Sequence, residues 1–124
     1  MWDAGCAANA SRTAGFSRKQ GNFKSYYPSI TWSLHFHDTR GLGLADTVAG
    51  LQAGITILES SVGGLGGDPF ISGADPTQDL IYMLRGMGIY TGIDLKNILR
   101  CTVELEAIPG RKLSAKVRLD HGCS

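Results

Sequence analysis

Ile30-Thr31-Trp32-Ser33-Leu34-His35-Phe36-His37, then Leu44, Val48 and Leu51 at spacings of four and three, then Ile55-Thr56-Ile57-Leu58-Glu59-Ser60-Ser61-Val62: this succession of periods decides the fold. In the first run Ile30, Trp32, Leu34 and Phe36 alternate with polar partners, the period of a strand. The middle stretch carries Ala45, Ala49 and Ala53 beside its larger apolar residues and stops at Gly54, which predicts a helix over 42–53 with a small-residue face. The last run is again β-rich. Two strands joined by a helix of about a dozen residues predict a parallel βαβ unit.

Outward from this unit, the second strand runs into Gly63-Gly64-Leu65-Gly66-Gly67. Asp75-Pro76-Thr77-Gln78-Asp79 then offers capping residues ahead of Leu80, Met83, Leu84 and Met87, which share one helical face up to Gly88. A third helix is expected from Asp94 through Leu95, Ile98 and Leu99 to about Ala107. The tail from Pro109 to Ser124 is basic in its first half and otherwise carries no signal. Residues 1–27 lack any sustained period and hold Arg12, Arg18, Lys19 and Lys24 against Asp3. That composition fits a mitochondrial transit segment or a loosely ordered one, so the expected division is 1–27 as a poorly patterned N-terminal segment and 28–124 as the folded part.

The 124 residues include 12 Lys+Arg and 11 Asp+Glu, a net charge of +1, with 43% hydrophobic and 19% charged residues. One domain is the most such a length forms. The near-neutral balance removes the electrostatic basis for a nucleic-acid or anionic-membrane partner, and no apolar run approaches the ~18 residues of a membrane span. Cys6, Cys101 and Cys123 are an odd number at wide spacing, which favours a reducing compartment over a disulfide framework or a Cys-x-x-Cys metal site. None has an activating neighbour in sequence.

His35-Phe36-His37-Asp38 is the sharpest chemical feature. Alternate strand residues point to one side, so both imidazoles face together while Phe36 faces away. Such a pair, entering a loop at the C-terminal end of a strand, suits two ligands of a divalent metal; the alternative is two histidines satisfied by backbone partners. The glycine loop lacks the lysine of a phosphate-binding loop and the Gly-x-Gly-x-x-Gly pattern. Its four glycines in five residues point instead to a mobile, functional strand-to-helix loop. Asp68, next in sequence, reads as a turn or cap carboxylate.

Three blocks in order, His35 to Ala45 (HFHDTRGLGLA), Ser60 to Gly67 (SSVGGLGG) and Leu80 to Leu95 (LIYMLRGMGIYTGIDL), closely resemble the hydroxymethylglutaryl-CoA lyase family. The resemblance covers 29–99, and Gly110 to Val117 looks like the family's tail. It implies an α/β fold, a partial TIM (β/α)₈ barrel made of the last two strands and their following helices, since a whole barrel takes ~250 residues. It implies retro-Claisen cleavage of 3-hydroxy-3-methylglutaryl-CoA to acetyl-CoA and acetoacetate with Mg²⁺ or Mn²⁺, and an acyl-CoA substrate. His35 and His37 are then metal ligands, Gly63, Gly64, Gly66 and Gly67 the loop that closes over the thioester, and Asp38 a supporting residue. Arg40 meets the acyl-CoA or forms an ion pair.

The departures are as informative. The family's first-strand Arg and metal-ligating Asp have no counterpart, although Asp3 and Gly5 faintly echo a turn after an earlier strand. Its catalytic Cys, in Gly-Gly-Cys-Pro, is replaced in Gly66-Gly67-Asp68-Pro69. Its metal-ligating Asn falls in a Gly-Asn pair omitted from Gly73-Ala74-Asp75-Pro76-Thr77-Gln78-Asp79, where Asp75 is the available oxygen donor. Asp68, at the Cys position, and His35 are therefore the candidate catalytic residues. The expectation is a lyase-family chain inactive in isolation. The alternatives are a non-catalytic fragment or partner of full-length lyase subunits, and a related metal-dependent aldolase or acyl-transferring synthase. Self-association or pairing with related subunits is expected, in a bacterial cytoplasm, with the mitochondrion as the alternative; a transit segment would precede a first strand, which these residues do not contain.

Overall fold

A computed structural model describes residues 25–67, 73–108, 110 and 112–118. Strand β1 (Ser33–His35) lies parallel to β2 (Ile57–Glu59), with Ser33 opposite Ile57, Leu34 opposite Leu58 and His35 opposite Glu59. Helix α1 (Gly43–Gln52) connects them, as the period change from two to 3.6 predicts. Both strands are shorter than the apolar runs in the sequence. Past His35 the chain takes another partner: His37 bridges Ala74 in antiparallel fashion, and the Asp75 N–H donates to the Phe36 carbonyl at 3.0 Å. Ser61 bridges Pro76 on the other side, with the Thr77 N–H donating to its carbonyl at 2.9 Å. Residues 73–77 thus stitch together the C-terminal ends of the two strands.

Leu34, Phe36 and Ile55 form a core beneath α1, with Trp32 and Leu58 packed against it. The helix presents Gly43, Asp46, Thr47, Ala49 and Gly50 as its buried residues, while Leu44, Val48 and Leu51 are half-buried. The small residues, more than the large apolar ones, take the closest contact. A side chain at Gly50 would strike the Leu34 methyl, so absence of a Cβ sets how near helix and strand approach.

Helix α2 (Thr77–Gly86) begins one turn earlier than its apolar spacing suggests, because Pro76 in extended conformation sets its N-cap and Thr77, Gln78 and Asp79 are themselves buried. Helix α3 (Leu95–Ala107) starts where expected, with the Asp94 carboxylate accepting the Lys96 N–H at 2.8 Å. Ile81, Leu95 and Leu99 form a second core, covered by Ile98 and Val117.

The C-terminal stretch, silent in the sequence, is held by two carboxylates. Asp79 accepts the N–H groups of Lys116 and Val117, and Glu106 accepts the Leu113 N–H and the Arg118 guanidinium, each at 2.8 Å. The Arg118 hydrogen bond above all, with the Leu113 N–H and the Arg118 and Lys112 charges, lowers the Glu106 carboxyl to about 2 against its burial. Among the described residues, no helix is long and apolar enough to cross a membrane.

Candidate functional site

Because β1 alternates, Leu34 and Phe36 enter the core under α1 while His35 and His37 project from the opposite face. Their Nε2 atoms lie 3.2 Å apart, and their rings meet edge to face with centroids separated by 5.0 Å. The histidines are therefore brought together as their spacing predicts, at the end of β1 where the chain turns into 38–42.

The neighbouring strand adds residues the sequence reading passed over. Glu59, the parallel partner of His35, places Oε2 3.4 Å from His35 Nδ1, and its Oε1 accepts the Ser33 hydroxyl at 2.6 Å. The signal was present: Ile57 and Glu59 alternate with Leu58, so a parallel pairing in this register puts the carboxylate beside the imidazole. Register, however, is not visible in one strand alone.

The glycine run follows β2 directly and leaves from the same end of the sheet as the histidines. Val62–Gly64 form a 3₁₀ turn in which Gly63 and Gly64 have φ of 68° and 72°, conformations that glycine adopts without steric penalty. Both are buried and closely met: Leu113 lies against Gly63, and the Ser114 hydroxyl and Pro76 ring lie against Gly64. The Gly63 N–H donates to Gln78 Oε1 at 2.9 Å, and Gln78 Nε2 donates to the Thr102 hydroxyl at 3.0 Å. This half of the expected mobile loop is anchored; Gly66 and Gly67, also at positive φ, are exposed. Asp68 lies outside the described residues.

Asp38 serves the fold, its Oδ1 accepting the Gly43 N–H at 3.0 Å at the start of α1. Arg40 is exposed. Asp75, the available oxygen donor in sequence, is aimed elsewhere: its side chain enters the helix layer, where Oδ2 accepts the Thr47 hydroxyl at 3.1 Å and Oδ1 abuts Gly43. It does not join the histidines. Burial pushes its carboxyl up to about 7, with Asp38, Asp46 and Asp79 adding to the rise and the Thr47 hydrogen bond opposing it.

A divalent ion fits this face in part. Two converging imidazole nitrogens are suitable donors, and a carboxylate beside Nδ1 favours a proton there and a lone pair on Nε2. Among the described residues, no group of three or more His, Cys, Asp or Glu is placed to enclose an ion. The pair supplies two donors, fewer than a divalent ion takes.

A model of the HMGL-like family matches residues 12–103. The mitochondrial hydroxymethylglutaryl-CoA lyase of Mus musculus is 43% identical over 93 residues, which are 73% of this chain and 29% of that protein. The corresponding lyase of Bacillus subtilis is 41% identical over 93 residues, 73% of this chain and 31% of its own length. Among solved structures, the Bacillus subtilis HMG-CoA lyase superposes with a TM-score of 0.79 at 38% identity, over 89% of this chain and 37% of that one. An HMG-CoA lyase from Acinetobacter baumannii, in complex with coenzyme A and 3-methylmalate, gives 0.80 at 33% identity over 93% and 37%. The chain thus spans about a third of the length of the lyases it matches, and its α/β architecture corresponds to part of their TIM barrel.

Proposed function

The chain belongs to the HMGL-like family, and on that premise we propose that it carries the metal-holding strand and closing loop of a carbon–carbon lyase. The substrate is 3-hydroxy-3-methylglutaryl-CoA, the products acetyl-CoA and acetoacetate, and residues 1–124 alone do not complete the reaction. The observation that carries this reading is the approach of His35 Nε2 and His37 Nε2 to 3.2 Å at the C-terminal end of β1, the end at which barrel enzymes place their chemistry.

His35 and His37 would hold Mg²⁺ or Mn²⁺ through Nε2, and the bound ion would supply Lewis-acid charge to substrate oxygens. Gly66 and Gly67, exposed beyond the anchored turn, let the loop move over the thioester and exclude water. Asp68 stands next in sequence, where its carboxyl would take the family cysteine's part in proton transfer. The first-strand Arg and Asp of the family have no counterpart among these residues, which is why turnover fails without them.

The folded lyase part is assigned to 28–124, with 1–27 as a separate segment. Relatives include mitochondrial and bacterial lyases; we assign this chain to the bacterial cytoplasm, paired with itself or with related subunits.

Purified protein given 3-hydroxy-3-methylglutaryl-CoA and Mn²⁺ should release no acetoacetate above a metal-only blank, and Asp68→Cys should not restore release. Calorimetry should show weak Mn²⁺ binding that disappears in a His35→Ala, His37→Ala double variant. Turnover by the 124-residue chain would overturn the inactive reading. Mn²⁺ binding unchanged in the double variant would overturn the histidine site.

A further inference from the structure

We propose that Glu59 is the positioning residue of the His35 imidazole, holding the proton on Nδ1 so that Nε2 presents its lone pair beside that of His37 to a divalent cation. This rests on the metal reading above and assigns a role to a residue outside the histidine pair. Three observations carry it. The parallel register sets His35 opposite Glu59, with both side chains on the face away from the Leu34 and Phe36 core. Glu59 Oε2 lies 3.4 Å from His35 Nδ1, whereas the His37 neighbour lies at the other ring nitrogen, so the two ring positions have different surroundings. The carboxylate is itself fixed, since Oε1 accepts the Ser33 hydroxyl at 2.6 Å.

The physical argument concerns the tautomer. A neutral imidazole has one N–H and one lone pair, and the hydrogen bond at one nitrogen decides the other. A carboxylate cannot donate, so the side it faces carries the proton. With Nδ1–H turned to Glu59, His35 Nε2 is an acceptor, and in the metal-free protein the His37 Nε2–H points at it across 3.2 Å. For a cation to enter between the two nitrogens, only His37 has to change tautomer, its proton passing through water from Nε2 to its own Nδ1, so that both rings stay neutral and both Nε2 lone pairs face the ion. Without Glu59, His35 is free to carry its proton on Nε2, and two protons would then face each other at the site. Ser33, Glu59 and His35 form the outer part of a carboxylate–histidine–metal arrangement, in which loss of the outer partner weakens metal binding about 10–100-fold.

Side-chain nitrogen-15 NMR of the histidines in the full chain, at about two pH units above the ordinary imidazole value of ~6.5, reads the tautomer directly. His35 should show protonated Nδ1 and unprotonated Nε2. Glu59→Leu, which leaves Nδ1 facing no acceptor, should shift His35 toward Nε2–H and weaken Mn²⁺ binding at least about tenfold. Glu59→Asp should keep the Nδ1–H form. Glu59 is more than half exposed, at 53% of its side chain, so these changes leave both cores intact, and circular dichroism checks this. An Nε2–H tautomer in the unmodified chain, or an Nδ1–H tautomer retained in Glu59→Leu, overturns the proposal. Failure of the unmodified chain to bind Mn²⁺ overturns the metal reading instead, while the tautomer measurement still decides the part played by Glu59.

Discussion

Gly43 and Asp75 are fitted to one another: the space a Cβ on Gly43 would occupy is filled by Asp75 Oδ1. Both are buried, and Asp75 is tied on its other oxygen to Thr47, one turn along α1. The first turn of the helix therefore rests on a carboxyl group from the segment joining the strand ends. Gly43→Ala should destabilise the fold by about 1–3 kcal/mol, the usual effect of overpacking, measured as a lower midpoint in urea. The double variant Gly43→Ala, Asp75→Ala should recover part of the loss, since the colliding atom is removed.

The same carboxyl makes stability depend on pH. Its pKa rises from an ordinary 3.8 to about 7 on folding. Between these values the native state holds a proton that the unfolded chain has released, so stability falls as pH rises through this window. The contribution is complete below about pH 4 and lost above about pH 7, an effect on the order of 4 kcal/mol at the linkage rate of about 1.36 kcal/mol per unit. Asp75→Asn stays neutral at every pH. Urea melts from pH 4 to 8 should slope downward for the unmodified chain and flatten in Asp75→Asn.

The parallel βαβ order, the third helix starting at Asp94 and the common face of His35 and His37 were legible because each follows from a local period or spacing. What escaped was set by partners distant in sequence. The runs around Leu34 and Leu58 read as longer strands because apolar alternation persists after ladder pairing ends, and residues 73–77 intervene at His37 and Ser61. Asp75 read as a possible ligand because its position along the chain does not reveal which layer it enters. Glu59 and Gln78 were passed over for the same reason, since the partners of each, His35 for one and Gly63 and Thr102 for the other, lie 15 to 24 residues away.

Gln78 should control the glycine turn. Fully buried, it accepts the Gly63 N–H and donates to Thr102, whose hydroxyl in turn donates to the Ile98 carbonyl at 2.9 Å. Gln78→Leu leaves the Gly63 N–H without its acceptor, a loss of about 1–3 kcal/mol. Hydrogen exchange at the Gly63 amide should accelerate in Gln78→Leu beyond any change at the helix amides of α3. Gln78→Glu keeps an acceptor for Gly63 and can still take the Thr102 proton, at the expense of the Ile98 bond, so it should fall between the two. Equal protection of the Gly63 amide in all three proteins would show that Leu113 and Ser114 alone hold the turn.

Association of the 124-residue chain is the outcome expected from its sheet. Among the described residues β1 and β2 pair only with each other over 33–35 and 57–59, so each has one edge whose backbone groups lack a ladder partner. Open edges of this kind invite further pairing, which a closed barrel prevents. Apolar surface accompanies them, since Ile30 and Ile57 are 49% and 47% exposed, and Ile57 stands on the same face as Glu59. Size-exclusion chromatography with light scattering should find mass rising with concentration. Burying what remains exposed of one isoleucine is worth about 1 kcal/mol, so Ile57→Thr should raise the concentration needed for association about fivefold. A compact monomer with a cooperative melt at every concentration would mean that residues beyond those described cover the sheet.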